Sequence, residues 1–405
     1  MTYSEAIDWL YSTQNFGIKL GLENPTRLLR EHLAFPSYKT KVIQVAGTNG
    51  KGSTCAIIDS LARAASYRTG LFTSPHLISY RERARINGAM IPEKEVTRHL
   101  NALRDLVSDW ENHPTFFELT LALAMRHFKD NECELIILEV GMGGRYDATT
   151  AIPTDANVIT PIALDHQQWL GDTLAEIALE KAATCRPGKP VICAPQQPQA
   201  TAVIEQVANE TRSPLTWVET PLNGYPISLR GPHQALNASV AVETLFATGI
   251  ELNYETVLHG VSHAVHEGRF EVIRNQDNTL ILDIAHNPHA TDSLVKTLQL
   301  EFPTQKPSLI FGAAESKDIQ PMLAELSAVV SEIHLVPIHS PRSIPPETLA
   351  SYLPEEAPKH HLHSSLASAM EATQENSIQL ITGSAFLVGE AKATLSDSPH
   401  RATSQ

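Results

Sequence analysis

The sequence has few cysteines, and their positions argue against a structural zinc site and against a disulfide framework. Cys55, Cys133, Cys185 and Cys193 are scattered over 405 residues, without the paired spacing of a zinc site. The same scatter gives no sign of a disulfide framework. We therefore expect four reduced, mostly buried thiols, as in a cytoplasmic protein.

The sequence also lacks an excess of positive charge and any long apolar run. Its 31 Lys and Arg residues stand against 45 Asp and Glu residues, a formal net charge of −14. This balance disfavours nonspecific attraction to nucleic acid or to an anionic membrane surface. The first residues, MTYSEAIDWLYS, have neither a basic start nor a long apolar stretch, and no window reaches the length of a membrane span. We expect a cytoplasmic protein that binds neither nucleic acid nor membrane.

The order of apolar and helical segments predicts the fold class. A chain of 405 residues exceeds the size at which a single core stops growing, so two domains are expected. Short apolar runs alternate with segments of helical periodicity, the pattern of parallel sheets covered by helices on both faces. We predict an α/β protein: a P-loop-type, doubly wound, mostly parallel sheet domain over residues 1–266, and a smaller Rossmann-like α/β domain over residues 267–405.

The individual elements can be placed from the same pattern. The predicted strands cover residues 42–46, 135–140, 156–161, 191–194, 279–283, 308–311, 333–336 and 379–382. The predicted helices cover residues 51–66, 93–110, 116–128, 173–184, 199–210, 233–248, 290–300 and 319–330. Helix 116–128 is apolar almost all round, which favours a position in the core.

The segment VAGTNGKGST, residues 45–54, is typical of a phosphate-binding loop, because it follows an apolar strand and opens a helix. The glycines that let its N–H groups turn towards an anion are Gly47, Gly50 and Gly52. Lys51 adds a positive charge, and Ser53 and Thr54 supply hydroxyls near a bound cation. The spacing is not a strict Walker A, because Val45 occupies the position of that motif's first glycine. A simple tight connection between strand and helix is the alternative.

A carboxylate ends a buried strand in the segment LEVGMGGRYDATT. Glu139 closes an otherwise apolar run and is followed by a glycine turn. A lone carboxylate at the carboxyl end of a buried strand is costly unless a cation or a donor compensates it. We interpret Glu139 as a metal ligand, with a structural ion pair to Arg145 as the alternative.

Two more segments offer ligands in the same way. In ITPIALDHQQWLG an apolar strand ends in Asp165 and His166. Histidine is more typical of transition metals than of Mg²⁺, so a core histidine is the alternative for His166. In FTSPHL, Pro75 stiffens a turn in which the hydroxyl of Ser74 can face a hard cation.

Polar groups at two further places are candidates. Lys181 lies towards the end of a helical segment, where an exposed lysine that complements the helix dipole is the alternative. In LDIAHNPHA, Asp283 and His286 follow an apolar strand. Doubly wound folds bind ligands at that edge of the sheet, and an aspartate there suits ribose hydroxyls.

Taken together, these motifs resemble the folylpolyglutamate synthase/dihydrofolate synthase family of the Mur-ligase superfamily. The matching segments, in chain order, are VAGTNGKGST, FTSPHLISYRERARING, LEVGMGGRYDATT, PIALDHQQWLGDTLAEIALEKA, EGRFE and LDIAHNPHA. The resemblance implies an ATP- and Mg²⁺-dependent ligase that joins L-glutamate to dihydropteroate and to reduced folates through an acyl phosphate. It also implies that ATP binds between the two domains and that L-glutamate binds in the C-terminal one. We expect a monomer.

The resemblance further implies a set of site residues. For ATP they are Thr48, Asn49, Gly50, Lys51, Gly52, Ser53, Asn237, Arg269 and Asp283. For Mg²⁺ they are Ser74, Glu139, His166 and, if carbamylated, Lys181. For the pterin-bearing acceptor they are Lys19, Leu20, Gly21, Leu22, Thr115, Phe116, Phe117, Glu118, Tyr146, Asp147 and Ala148. The residues expected to act in catalysis are Lys51, Glu139, His166, Lys181, Arg269 and His286.

Two other functions are open at this point. A cell-wall ligase of the same superfamily would use the same ATP chemistry on a UDP-linked muramoyl acceptor. Those enzymes generally carry an additional amino-terminal domain, for which too few residues precede the phosphate loop. A nucleotide-binding regulatory module without ligase activity would not need Glu139, His166 and Lys181 at metal-site positions.

Overall fold

The computed structural model describes residues 1–17, 21–275, 278–315, 317–373 and 378–396. The helices are α1 (Tyr3–Ser12), α2 (Glu23–Glu31), α3 (Lys51–Ala64), α4 (Glu93–Val107), α5 (Phe116–Asp130), α6 (Gln167–Leu170), α7 (Leu174–Ala182), α8 (Pro198–Thr211), α9 (His233–Ala247), α10 (Tyr254–Ser262), α11 (Pro288–Glu301), α12 (Ile319–Val329), α13 (Pro346–Ala350), α14 (Leu366–Ala372) and α15 (Ala385–Ser396). The strands are β1 (Lys41–Ala46), β2 (Thr69–Phe72), β3 (Ala84–Ile86), β4 (Ala89–Met90), β5 (Leu135–Glu139), β6 (Ala156–Ile159), β7 (Val191–Cys193), β8 (Leu215–Trp217), β9 (Glu271–Asn275), β10 (Asn278–Leu282), β11 (Ser308–Phe311), β12 (Glu332–Leu335), β13 (His360–Leu362) and β14 (Ile378–Thr382).

The chain forms two compact units, each with its own sheet. The first unit comprises Met1–His76, Tyr80–Ser228 and Ala235–Val265. The second comprises Leu77–Ser79, Leu229–Gln234 and His266–Gln405.

The first unit is built on an eight-stranded sheet in the order β4-β3-β2-β5-β1-β6-β7-β8. Strand β1 lies inside it and pairs in parallel with β5 on one side and β6 on the other. Strands β2, β7 and β8 continue the parallel part, and β3 and β4 add an antiparallel edge. The carboxyl ends of β2, β5, β1 and β6 therefore meet, as neighbours, at one edge of the sheet.

Helix α5 is the core helix that its composition predicts. Its buried side chains cover most of the circumference and include Leu119, Leu123 and Phe128, each at most 1% exposed. A capping box begins the helix, since Thr115 and Glu118 each accept the other's backbone N–H. Apart from Glu118, the charged residues of this helix lie in its last turns.

The second unit is built on a six-stranded sheet in the order β13-β12-β11-β14-β10-β9. All neighbouring strands pair in parallel except β9, which forms an antiparallel pair with β10. Its core includes Leu298, Phe311 and Leu326 from two helices and a strand. The predicted α/β class, with two mostly parallel sheets covered by helices, is confirmed.

Every strand and helix predicted from the sequence is present, with ends that shift by a few residues. The helix predicted at 93–110, for example, is Glu93–Val107. The sequence analysis missed β2, a strand of four buried residues with the sequence TGLF. A strand this short that contains a glycine has no periodicity to reveal it, and only its pairing with β5 defines it.

All four cysteines are buried and none is in a disulfide, as expected. Burial raises the pKa of Cys133 and of Cys185 to about 12, so neither is a reactive thiolate at neutral pH. Among the described helices, none combines the length and the apolar character needed to cross a lipid bilayer.

A buried carboxylate ties α3 to β2. Asp59, which is 3% exposed, accepts a hydrogen bond from the Thr69 hydroxyl at 2.5 Å and from Arg63 Nε at 2.8 Å. These contacts join the helix that follows the phosphate loop to the strand that leads to Ser74. A buried carboxylate needs such donors, because burying an unpaired charge is costly.

We expect Thr69→Val to destabilise the first unit by about 1–3 kcal/mol, because it removes a donor from the buried carboxylate of Asp59. Urea denaturation followed by circular dichroism measures the change. The matched control is Thr97→Val, since the Thr97 hydroxyl bonds only its own helix, at the carbonyl of Glu93. Equal stability of the two variants would contradict the role given to Thr69.

Candidate active site

Four of the segments singled out in the sequence follow four neighbouring parallel strands. The phosphate loop follows β1, Ser74 follows β2, Glu139 ends β5, and His166 lies beyond β6. Because these strands lie side by side in the order β2-β5-β1-β6, the four segments leave the same edge of the sheet. Parallel α/β sheets bind their ligands at this edge.

The phosphate loop is held by the segment that follows β6. The backbone N–H groups of Thr48 and Asn49 both donate to the carbonyl of Pro161, at 3.0 and 3.2 Å. The Thr48 hydroxyl donates to the carbonyl of Ala163 and accepts its N–H, each at 3.1 Å. The conformation of the loop is therefore set by its neighbour in the sheet as well as by its glycines.

Two glycines of this loop are required by their surroundings. A Cβ on Gly47, at φ +143°, would lie 1.9 Å from Thr160 Oγ1. Gly50 is the N-cap of α3 at φ +86°, so no side chain caps the helix. A Cβ there would lie 3.1 Å from Oδ1 of Asn237, which is 5% exposed. A helix N-terminus without a side-chain cap suits a phosphate group.

Two lysines reach the phosphate loop from different helices. Lys51 Nζ donates to the carbonyl of Thr48 at 3.1 Å, and Lys181 Nζ donates to the carbonyl of Gly47 at 2.8 Å. Lys181 is only 4% exposed, so the alternative of an exposed, dipole-complementing lysine is wrong. Burial, and next the positive charge of Lys51, lowers the pKa of Lys181 to about 7.

Glu139 is a buried carboxylate beside Ser74. It is 3% exposed, and its Oε2 accepts the backbone N–H of Ser74 at 2.9 Å. The alternative of an ion pair between Glu139 and Arg145 is wrong, because Arg145 Nε pairs with Glu180 Oε1 at 2.8 Å. A buried carboxylate with a serine alongside is a donor set that fits a hard cation such as Mg²⁺.

His166 is exposed and held in a rare backbone conformation. Its side chain is 44% exposed, so the alternative of a buried core histidine is wrong. It has φ +52° and is the N-cap of α6, while Asp165 Oδ1 accepts its N–H at 2.8 Å. A left-handed conformation is costly for a residue with a Cβ, and such residues cluster at functional sites.

The first segment expected to bind the acceptor, residues 19–22, is described only in part. Lys19 and Leu20 lie outside the described residues. Gly21 has φ +134° with open space around it, and Leu22 directly precedes α2. Both are partly exposed.

At the start of α5, only part of the predicted acceptor segment is accessible. Glu118 Oε2 accepts the backbone N–H of Thr115 at 2.6 Å, so both polar side chains serve the helix cap. Phe116 is 5% exposed. The partly exposed Phe117 ring lies over the glycine turn, since a Cβ on Gly141 would be 2.7 Å from its Cζ.

The turn after β5 is organised by Asp147. Its Oδ2 accepts the N–H groups of Gly141 and Met142, at 2.9 and 3.0 Å. Burial raises the pKa of Asp147 in spite of these donors. Ala148 is buried, whereas the Tyr146 side chain is 47% exposed. Of these three candidates, Tyr146 is therefore the one with a side chain open to a ligand.

The sequence analysis missed a buried cation behind Ser74. Arg83 is 1% exposed and its Nε donates to His76 Nδ1 at 2.8 Å, while Tyr11 Oη contacts His76 Nε2 at 3.1 Å. The two Nη atoms of Arg83 have no hydrogen-bond partner among the described residues, and its guanidinium lies 5.1 Å from the ring centre of Phe116. An interior arginine with unsatisfied donors is costly. Its segment, RERARING, contains no periodicity or motif that predicts a buried arginine.

In the second unit, Asp283 directly follows β10 and Arg269 lies just before β9, and the two charges interact. The Asp283 carboxylate accepts the N–H groups of Phe270 and Ala285, both at 2.8 Å. Burial raises the pKa of Asp283, and the charge of Arg269 opposes this shift. His286 Nδ1 donates to the backbone carbonyl two residues earlier at 2.9 Å, which fixes its ring beside Asp283.

The chain matches family models and known proteins over most of its length. The Mur ligase middle domain matches residues 45–210, and the Mur ligase, glutamate ligase domain matches residues 268–385. The dihydrofolate synthase/folylpolyglutamate synthase of Escherichia coli is 33% identical over 86% of this chain and 86% of its own length. The chain belongs to the dihydrofolate synthase/folylpolyglutamate synthase family. The predicted family is confirmed, and it is not the cell-wall branch.

Solved structures of the family have the same fold over nearly the whole chain. E. coli FolC in complex with DHPP and ADP superposes with a TM-score of 0.86 at 30% identity, covering 97% of this chain and 98% of that one. The bifunctional synthase of Yersinia pestis, complexed with AMPPNP and a Mn ion, superposes with a TM-score of 0.87 at 32% identity, covering 98% of both chains.

Proposed function

We propose that this protein is an ATP-dependent ligase that adds L-glutamate to dihydropteroate and to reduced folates through an acyl phosphate. The observation that carries the proposal is the edge where β2, β5, β1 and β6 end. There an uncapped helix N-terminus, two lysines and a buried carboxylate surround one glycine loop. Membership of the dihydrofolate synthase/folylpolyglutamate synthase family supports this chemistry.

The reaction needs phosphoryl transfer before amide formation, because a carboxylate is a poor electrophile. The acceptor carboxylate takes the γ-phosphoryl group of ATP and becomes an acyl phosphate. The amine of glutamate then attacks its carbonyl carbon, and phosphate leaves. Lys51 and the first N–H groups of α3 stabilise the negative charge that spreads over the phosphoryl oxygens.

We assign Mg²⁺ to Glu139, Ser74 and His166. When bound, the ion neutralises charge on the phosphates of ATP. Glu139 supplies a buried carboxylate, which is the preferred ligand type for this ion. The exposed His166 is the least typical member of the set for Mg²⁺.

We assign to Lys181 the role of a carbamylated lysine. With its pKa lowered to about 7, a large part of its amine is neutral at physiological pH. The neutral nitrogen attacks the carbon of CO₂, a new N–C bond forms, and a proton is released to solvent. The product carries two oxygens and a negative charge next to the phosphate loop, which suits a second hard cation.

The remaining assignments concern the acceptor and the second unit. We place the pterin-bearing acid against the segments 19–22, 115–118 and 146–148, and L-glutamate in the C-terminal domain, residues 267–405. Arg269 is assigned a phosphate contact and Asp283 a ribose contact, with His286 beside them. We further propose that the protein is a monomer. We also propose a cytoplasmic location, which its four buried, unpaired thiols support.

The deciding assay supplies ATP, Mg²⁺ and L-glutamate with either dihydropteroate or tetrahydrofolate, and measures ADP together with the glutamate conjugates. We expect ADP and conjugate in equal amounts with both acceptors. Absence of turnover with dihydropteroate would contradict the proposed dihydrofolate synthase activity. ADP formation without conjugate would remove the ligase chemistry itself.

Glu139→Gln is expected to abolish Mg²⁺-dependent turnover, because it removes a charged ligand while keeping the shape of the side chain. Circular dichroism and the urea midpoint establish that the variant is folded. Glu205→Gln, an exposed change on α8, is the matched control and should retain full activity. Activity retained in Glu139→Gln would show that the metal assignment is wrong.

Carbamylation of Lys181 is expected to give a ¹³C NMR carbamate signal when the protein is equilibrated with ¹³C-bicarbonate. The reactive form is the neutral amine, so the signal should grow as the pH rises through about 7. Lys181→Met should lack the signal, and Lys94→Met, which removes an exposed lysine of α4, should keep it. A signal of equal size in Lys181→Met would contradict the assignment.

A further inference from the structure

A cluster of histidines and carboxylates lies between α4 and α5, on residues that the proposed ligase chemistry does not use. Among the described residues, Glu95, His99 and His127 present ligand atoms that all lie within 4.8 Å of one another. Glu95 and His99 are one helical turn apart on α4, and His127 is on the last turns of α5. His99 and His127 are buried, at 1% and 4% exposure.

The protein's own cation sits among these groups. Nη2 of Arg98 lies 2.8 Å from Glu95 Oε2, 3.0 Å from His99 Nε2 and 2.9 Å from Asp130 Oδ2. A single nitrogen is thus surrounded by two carboxylate oxygens and an imidazole nitrogen. The Arg98 side chain is 50% exposed, so it can turn into solvent and leave this position to another cation.

A second observation concerns His32, which packs against the same cluster. Its ring lies edge-on to His99, with 5.8 Å between the ring centres, and His99 lies 6.1 Å from His127. His32 is 9% exposed and its Nε2 has no hydrogen-bond partner among the described residues. Three imidazoles therefore lie in contact, and one buried ring nitrogen is unsatisfied.

These imidazoles are neutral, as metal binding requires. Burial lowers the pKa of His99 to about 3 and that of His32 to about 4, and it also lowers the pKa of His127. Two carboxylates, Glu95 and Asp130, face the cluster, while Arg126 pairs with Asp130 Oδ1 at 2.7 Å. With Arg98 turned away, the carboxylate of Glu95 loses its cationic partner, which favours the binding of another cation there.

We propose that Glu95, His99 and His127 form a binding site for a transition-metal ion of the Zn²⁺ class. Two imidazoles and one carboxylate are a ligand set that zinc takes in proteins and that Mg²⁺ does not favour. The ion would replace the guanidinium of Arg98 and join α4 to α5. The site is separate from the phosphate loop, and it does not depend on the proposed ligase activity.

The test is titration of the full-length, chelator-treated protein with Zn²⁺ in Mg²⁺-free buffer, followed by calorimetry. We expect one tight equivalent. Glu95→Gln should weaken it by at least about tenfold, because loss of even an outer-shell partner costs 10–100-fold in affinity. Arg98→Gln should tighten it by about tenfold, because a competing positive charge is removed. Glu95 is partly exposed, so its substitution avoids the risk of misfolding carried by buried His99.

The control is His263→Gln. It disrupts an exposed pair of histidines, His259 on α10 and His263 directly after it, whose ring centres lie 4.1 Å apart. It should leave the tight equivalent unchanged. Co²⁺ titration of the same variants gives a visible d–d absorption that reports on the ligand set. Absence of zinc binding from the wild type, or zinc binding that is insensitive to Glu95→Gln, overturns the proposal. Loss of the equivalent in His263→Gln alone overturns it as well.

Discussion

The first unit depends on the compensation of charge at the carboxyl edge of its parallel sheet. The buried groups there are Glu139 and Lys181, with the partly buried Lys51 beside them. Each is held by backbone: Glu139 accepts from Ser74, and the two lysines donate to Thr48 and Gly47. Buried charges are costly unless hydrogen-bonded and balanced, so these contacts stabilise the charged groups at this edge.

Other polar groups near this edge hold the scaffold in place rather than facing a ligand. Arg145 pairs with Glu180, and Asp147 binds the N–H groups of the turn after β5. Thr115 and Glu118 cap α5 in the same way. A segment with the right motif thus divides its residues between structure and chemistry, and Tyr146 and Phe117 are the members that present a ring near the surface.

Two arginines of the first unit have different surroundings. Arg83 has unsatisfied Nη atoms behind Ser74, whereas Arg98 is fully engaged with two carboxylates and a histidine. Buried hydrogen-bond donors without acceptors raise the free energy of the folded state, whereas a half-exposed guanidinium among carboxylates can exchange for another cation.

The sequence by itself determined the fold class, the long elements and the position of the phosphate loop, because periodicity and glycine placement are local properties. It also identified the family from ordered motifs. Only the tertiary structure decided that Lys181 is buried, that Arg145 pairs with Glu180, and that β2 exists. Burial, ion pairing and strand pairing depend on residues far apart in the chain. The environment of His99 was invisible for the same reason, since its ring neighbours His32 and His127 lie far from it in the chain.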